Sequence, residues 1–180
     1  MTEALDKNFK FNIKKTCCFT GHRPQKVSWE FSEEDERYLK LRSKTKNLIE
    51  QAIKSGWTNF ITGMALGFDL MCAEIVLDIK KNNPKINLIC AVPCSNQTKY
   101  WSEEKKIRYN KILNNADIVK QINLEYTLNC MQERNEFMVN NSSMIIALYN
   151  NKNFGGTYKT INYAQNKGKQ IIILNPEEVY

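Results

Sequence analysis

Met131 to Thr157 read MQERNEFMVNNSSMIIALYNNKNFGGT, and the order of residue types in this stretch decides the fold. It predicts a helix carrying an Arg (Leu128 to Asn140), an apolar strand (Ser143 to Leu148), a short polar loop, and a Gly-Gly-Thr that opens another helix near Thr157. A strand with almost no polar alternation is covered on both faces, as in a parallel sheet flanked by helices. Such sheets bind ligands beyond the carboxyl ends of their strands. The loop and Gly155-Gly156-Thr157 fall at that edge. There a helix amino end offers unpaired N–H groups and partial positive charge, both suited to phosphate. The stretch therefore reads as the phosphate-facing half of a nucleotide pocket.

The same alternation continues outward in both directions. Thr16 to Thr20 form an apolar strand that meets Gly21-His22-Arg23-Pro24, where Pro24 restrains Arg23 to an extended shape. Ser32-Glu33-Glu34-Asp35 is a helix-start signal, and Tyr38, Leu41, Thr45, Leu48 and Ala52 then recur at helical spacing to about Lys54, with Gly56 as the stop. Asn59 to Thr62 is a second strand, followed by Gly63-Met64-Ala65-Leu66-Gly67 and an apolar helix from Phe68 to Leu77. Ile86 to Val92 is a continuous apolar strand ended by Pro93, Ser102-Glu103-Glu104 opens a charged helix, and Ala116 to Ile122 is a weaker strand. Gln170 to Leu174 closes the series. Strands alternating with helices predict an α/β architecture: a single Rossmann-like, doubly wound, mainly parallel sheet with helices on both faces. The expected division is a basic leader over residues 1–15 and a ligand-binding domain over 16–180.

Composition narrows the function classes. The first stretch, MTEALDKNFKFNIKK, has no apolar core of a secretory signal, and no apolar run approaches the roughly 20 residues of a membrane helix, so the expected location is the cytoplasm, away from the membrane. Six cysteines sit mostly inside apolar runs, no Cys-x-x-Cys pair occurs, and His22 is the only histidine, so neither a metal site nor disulfides are expected. The net charge of +7 favours phosphate-bearing partners, but the basic residues are scattered among acids, as on a solvated surface. Nucleic acid is thus a less favoured partner than a small anion.

Four loops converge at the carboxyl edge. In Thr20-Gly21-His22-Arg23, Gly21 permits close backbone approach and Arg23 pairs a phosphate or is a surface residue. His22 reads as a hydrogen-bonding or stacking residue rather than an acid or base, because no carboxylate partner is visible. In the second loop, Gly63, Met64 and Gly67 lie between strand and helix without forming a G-x-G-x-x-G or a Walker motif. Asp69 either caps the helix or binds a ribose hydroxyl, and Glu74 is a satisfied semi-buried acid or a ligand contact. Gln97, Tyr100 and Trp101 pack a third loop or stack on a base. On the helix of the fourth, Met131, Arg134, Asn135 and Met138 share a face, which directs Arg134 to the sheet edge.

These motifs, Thr20 to Pro24, Thr62 to Glu74 and Arg134 to Met138, resemble those of the SLOG superfamily, whose Rossmann-like domains bind nucleotides and nucleotide-derived ligands. The likeness spans Thr16 to about Leu174 and is greatest to the YpsA-like branch of largely uncharacterised bacterial and phage proteins. The Gly63 to Asp69 loop also resembles that of DprA-type DNA-processing proteins. The resemblance implies a ligand sensor with no required cofactor. It would hold its ligand through Thr20, Gly21, His22, Arg23, Gly63, Met64, Gly67, Asp69, Arg134, Asn135, Gly155, Gly156 and Thr157, with Arg134 as cationic clamp. It also implies a homo-oligomer, since many relatives form dimers. Lonely-guy-type phosphoribohydrolases are a catalytic relative. Arg134, Met138, Gly155, Gly156 and Thr157 match their motifs, but Asn135 replaces a Lys and Thr160 replaces the Glu. Loss of a transition-state carboxylate costs about a hundredfold or more in rate. Binding is therefore expected rather than N-glycosidic cleavage, unless Asp69 or Glu74 substitutes for the missing carboxylate. A DprA-like nucleic-acid-binding role is the remaining alternative.

Overall fold

The computed structural model describes residues 12–29 and 31–178. The expected leader lies largely in residues 1–11, outside the described residues; Ile13–Lys15 form a single 3-10 turn. Six strands, β1 (Thr16–Gly21), β2 (Asn59–Thr62), β3 (Asn87–Val92), β4 (Ile118–Gln121), β5 (Met144–Leu148) and β6 (Gln170–Leu174), alternate with five helices. These are α1 (Glu36–Lys54), α2 (Phe68–Lys80), α3 (Glu103–Asn115), α4 (Cys130–Asn140) and α5 (Gly156–Asn166). The strands form one sheet in the order β4-β3-β2-β1-β5-β6, and all neighbours are parallel. The α/β Rossmann-like reading of the sequence is what the chain adopts.

Strand parity separates two cores. Cys17, Phe19, Phe60, Leu88, Cys90, Met144 and Ile146 point to the face covered by α1, α2 and α3. Their neighbours Cys18, Ile61, Ile89, Ala91, Ile145 and Ala147 point to the opposite face, where Met138, Val139, Ile161 and Ala164 of α4 and α5 pack. Apolar residues on both parities explain why these strands read as unbroken hydrophobic runs. The edge strands β4 and β6 are only partly buried, so their patterns are weaker. The chain leaves β1 toward β2, β3 and β4, then returns to the other side of β1 as β5. That reversal puts the topological switch between β1 and β5.

Two helix starts differ from the sequence expectation. α1 begins at Glu36 rather than near Ser32, because the Asp35 carboxylate accepts the Arg37 main-chain N–H at 2.8 Å and caps the helix. α4 begins at Cys130 rather than Leu128, whose side chain is 92% exposed and has no core to join. Among the described residues no helix is long and apolar enough to cross a membrane.

Candidate functional site

A cavity of about 460 Å³ opens at the switch point, walled by the loops that follow β1, β2 and β5 and by one face of α4. That volume suits a small organic ligand. Thr20, Gly21, His22, Arg23, Asp69, Arg134, Asn135, Gly155, Gly156 and Thr157 meet around it, though their positions span most of the sequence. A roomier cleft of about 650 Å³ lies between α1, α2 and α3, away from the sheet edge. Glu74 lines that second cleft and pairs Arg108 in bidentate fashion at 2.6 and 2.7 Å. It is therefore committed elsewhere and does not stand beside Arg134.

Gly63, Met64 and Gly67 support the cavity from behind instead of lining it. A Cβ on Gly63 would lie 2.6 Å from the Arg134 guanidinium carbon and 2.8 Å from Asp69 Oδ2. Met64 is buried at φ +57°, its carbonyl accepting Gln97 Nε2 at 2.9 Å. Gly67 has φ +93°, and a Cβ there would meet the His22 carbonyl at 2.8 Å. Gly21 is small because Phe68 packs against it, leaving 2.6 Å for any Cβ. By contrast, nothing lies within 4 Å of a Cβ on Gly155 or Gly156, so these two border open space.

Arg134 forms part of the floor and is 4% exposed. Its Nε donates to Asn135 Oδ1 at 2.8 Å, its Nη1 donates to the Gly63 carbonyl, and Asp69 Oδ2 stands 3.9 Å from Nη1. Nη2 has no hydrogen-bond partner among the described residues. Burial lowers the Arg134 pKa, and nearby Asp69 partly restores it. Burial likewise raises the Asp69 pKa against the pull of Arg134. Two of the three Arg134 guanidinium nitrogens, Nε and Nη1, thus have acceptors inside the protein. Freer cations stand at the rim: Arg23, Lys26 and Lys152. The Thr20 hydroxyl and the Asn135 NH₂ group also have no protein partner among the described residues, although the two residues are only 6% and 9% exposed.

α5 starts without a side-chain cap. Gly155, at φ +95°, precedes Gly156, and Gly155, Gly156 and Thr157 line the cavity at the start of the helix. The loop before α5 is braced by Tyr149, whose hydroxyl donates to the Lys152 carbonyl at 2.7 Å. It is also braced by His22, whose Nε2 lies 3.1 Å from the Asn150 main-chain N–H and 2.9 Å from Asn150 Oδ1. Asn150 thus offers the ring an acceptor and a donor, matching either protonation state. Burial lowers the His22 pKa from its ordinary 6.5, the Asn150 side chain opposes that shift, and Lys26 and Lys152 add to it. At the mouth, Lys26 Nζ stands 5.5 Å over the exposed Phe154 ring.

Lys26, Asn150, Lys152 and Phe154 are cavity residues that sequence patterning did not single out. The available signal was two lysines in loops already assigned to the carboxyl edge. Gln97, Tyr100 and Trp101 border a smaller hollow of about 280 Å³ that shares Arg23, Ala65 and Met131 with the main cavity. Within it Trp101 packs edge-on to Tyr109, and Tyr100 is 89% exposed. Among the described residues no cluster of His, Cys, Asp and Glu is arranged to hold a metal ion.

The model of the YspA SLOG family matches residues 17–179. The SPbeta prophage-derived protein YoqJ of Bacillus subtilis is 35% identical over 154 residues, which cover 77% of this chain and 90% of that protein. A UPF0398 protein of Pediococcus pentosaceus is 27% identical over 145 residues, 79% of each chain. The UPF0398 protein YpsA of Bacillus subtilis is 22% identical over 158 residues, 87% of each chain.

Proposed function

The chain belongs to the YspA SLOG family, and from that premise and the cavity at the switch point we propose that it binds a nucleotide or nucleotide-derived ligand. One observation carries the reading. An uncapped helix amino end, three rim cations and unpartnered hydrogen-bonding groups of the largely buried Thr20, Asn135 and Arg134 meet at a single cavity of nucleotide size. The N–H groups at Gly156 and Thr157 take a phosphate, and the electrostatic pull of Arg23, Lys26 and Lys152 draws it in. Thr20 and Asn135 hydrogen-bond the uncharged part of the ligand. Arg134 keeps the floor in shape and presents Nη2. The cytosol, where nucleotides are abundant, is the compartment this role fits.

The reading is of binding and sensing rather than of N-glycosidic cleavage. Asp69 does stand beside Arg134 at 3.9 Å in the cavity, and it is taken as a ligand contact and not as a cleaving carboxylate. At the position where a carboxylate would assist cleavage stands Thr160, 1% exposed, its hydroxyl donating to the Gly156 carbonyl at 2.8 Å. That hydroxyl serves the helix and supplies no charge. Titration calorimetry against nucleoside monophosphates, ADP-ribose and NAD is the test. Saturable heat with at least one of them, reduced in a Lys26→Ala/Lys152→Ala double variant, is expected. No heat from any member, with protein shown by circular dichroism to be folded, overturns the proposal.

A further inference from the structure

The cavity has one feature at odds with an anionic guest. Asp69 places a carboxylate, itself 5% exposed, among its lining groups. Its hydrogen bonds do not account for it. Asp69 does not cap the first turn of its own helix; the capping position is Gly67. The carboxylate accepts from the Ala65 main-chain N–H at a long 3.4 Å, with the Gly63 N–H nearby. Its ion pair with Arg134 is equally loose at 3.9 Å, because that guanidinium spends its closer contacts on the Gly63 carbonyl and Asn135 Oδ1. An ionised carboxylate has about four lone-pair sites. Most of that accepting capacity is left for the cavity, which otherwise offers mainly donors.

Position completes the inference. α2 follows β2 and α5 follows β5, and these two strands flank β1 on either side. Strands two apart in a sheet are roughly 10 Å apart, a span that a phosphorylated ribose crosses once a hydrogen bond of about 2.8 Å is allowed at each end. A phosphate is repelled from Asp69 and drawn to the amino end of α5. The opposite end of the ligand must therefore donate hydrogen bonds, and adjacent hydroxyls on one ring do so to both oxygens of one carboxylate. Asp69 is also locked in place, since its main-chain carbonyl accepts the Thr62 hydroxyl at 2.9 Å and Gly63 closes against Oδ2. Resting on the nucleotide reading above, we infer that Asp69 holds the 2′,3′-diol of a 5′-phosphorylated ribose, so that the site takes ribonucleotides and rejects 2′-deoxyribonucleotides.

The test is calorimetry on the unmodified protein with matched pairs: the four common nucleoside 5′-monophosphates against their 2′-deoxy forms, and ribose 5-phosphate against 2-deoxyribose 5-phosphate. The expected result is a preference for the ribo member of about tenfold or more, the weight of one hydrogen bond to a charged group. Asp69→Asn should remove that preference by weakening the ribo member alone. A smaller preference in every pair that binds overturns the inference while leaving nucleotide binding intact. Absence of binding by all members, ADP-ribose and NAD included, overturns the nucleotide reading and this inference with it. Should Asp69→Asn fail to fold, the matched pairs on the unmodified protein decide alone.

Discussion

His22 and two glycines carry the sharpest consequences at the scale of single residues. The chain has one histidine, so its imidazole gives a single set of NMR signals. Burial lowers its pKa below 6.5, which leaves the ring neutral at pH 7. The unfolded chain takes up that proton first, so His22 contributes stability that is full above 6.5 and is lost as pH falls from there toward the lower folded-state value. An anion bound beside Lys26 and Lys152 reverses the local charge and should raise the pKa of the ring; an NMR titration with and without AMP checks the sign. The glycines separate architecture from site. Gly63→Ala drives a methyl into the Arg134 guanidinium and Asp69, an overpacking expected to cost about 1–3 kcal/mol in urea melts. Gly156→Ala meets nothing within 4 Å. It should leave the urea midpoint nearly unchanged yet weaken nucleotide binding about tenfold, because the methyl occupies the phosphate's approach. Equal effects of the two substitutions on stability would contradict this division of labour.

At the scale of elements, the amino end of α5 depends on a loop braced by the Tyr149 hydroxyl and by the His22 ring. Tyr149→Phe removes the hydroxyl that donates to the Lys152 carbonyl, which keeps only the Phe154 main-chain N–H at 2.7 Å, at an expected cost of about 1 kcal/mol. The larger effect belongs to binding, since Lys152 and the N–H groups at Gly156 are then less well held. Affinity should fall severalfold by calorimetry, with dissociation faster in stopped-flow; affinity unchanged from the parent would show that the His22 contacts to Asn150 hold the loop without the Tyr149 hydroxyl. The elements themselves were legible in the sequence in proportion to their burial. β3 and β5 read as strands because both faces of each are covered. β4, with Ile118, Val119 and Gln121 only partly buried and Lys120 exposed, leaves a fainter trace. The first loop and the Gly155-Gly156-Thr157 turn were legible because glycines and a proline punctuate strand ends. Lys26, Asn150, Lys152 and Phe154 were not, since loop residues have no period and their meeting is a tertiary fact. The task of Gly63 was equally hidden: the Arg134 guanidinium that excludes a side chain there comes from 71 positions away.

On the scale of the whole molecule, the order β4-β3-β2-β1-β5-β6 puts β1 inside the sheet with the cavity above its carboxyl end. Thr20 and Gly21 end that strand, whose residues Cys17, Cys18 and Phe19 are fully buried, so the site rests on the least exposed part of the fold. Hydrogen exchange should therefore be slowest in β1, β2 and β5 and faster in the half-exposed β4 and β6. Binding a nucleotide must add protection unevenly. The ends of β1 and β5, the first turns of α2 and α5, and the Arg134 turn of α4 should gain it, while β4 and the outer faces of α1 and α3 should not. The rival location makes this decisive, because the cleft between α1, α2 and α3 is the roomier of the two at about 650 Å³. Volume favours that cleft, whereas the switch point, the uncapped helix and the unpartnered donors favour the smaller cavity. A ligand whose added protection centred on α1, α2 and α3 would show that size had outweighed chemistry; protection centred on β1 and β5 would show the reverse.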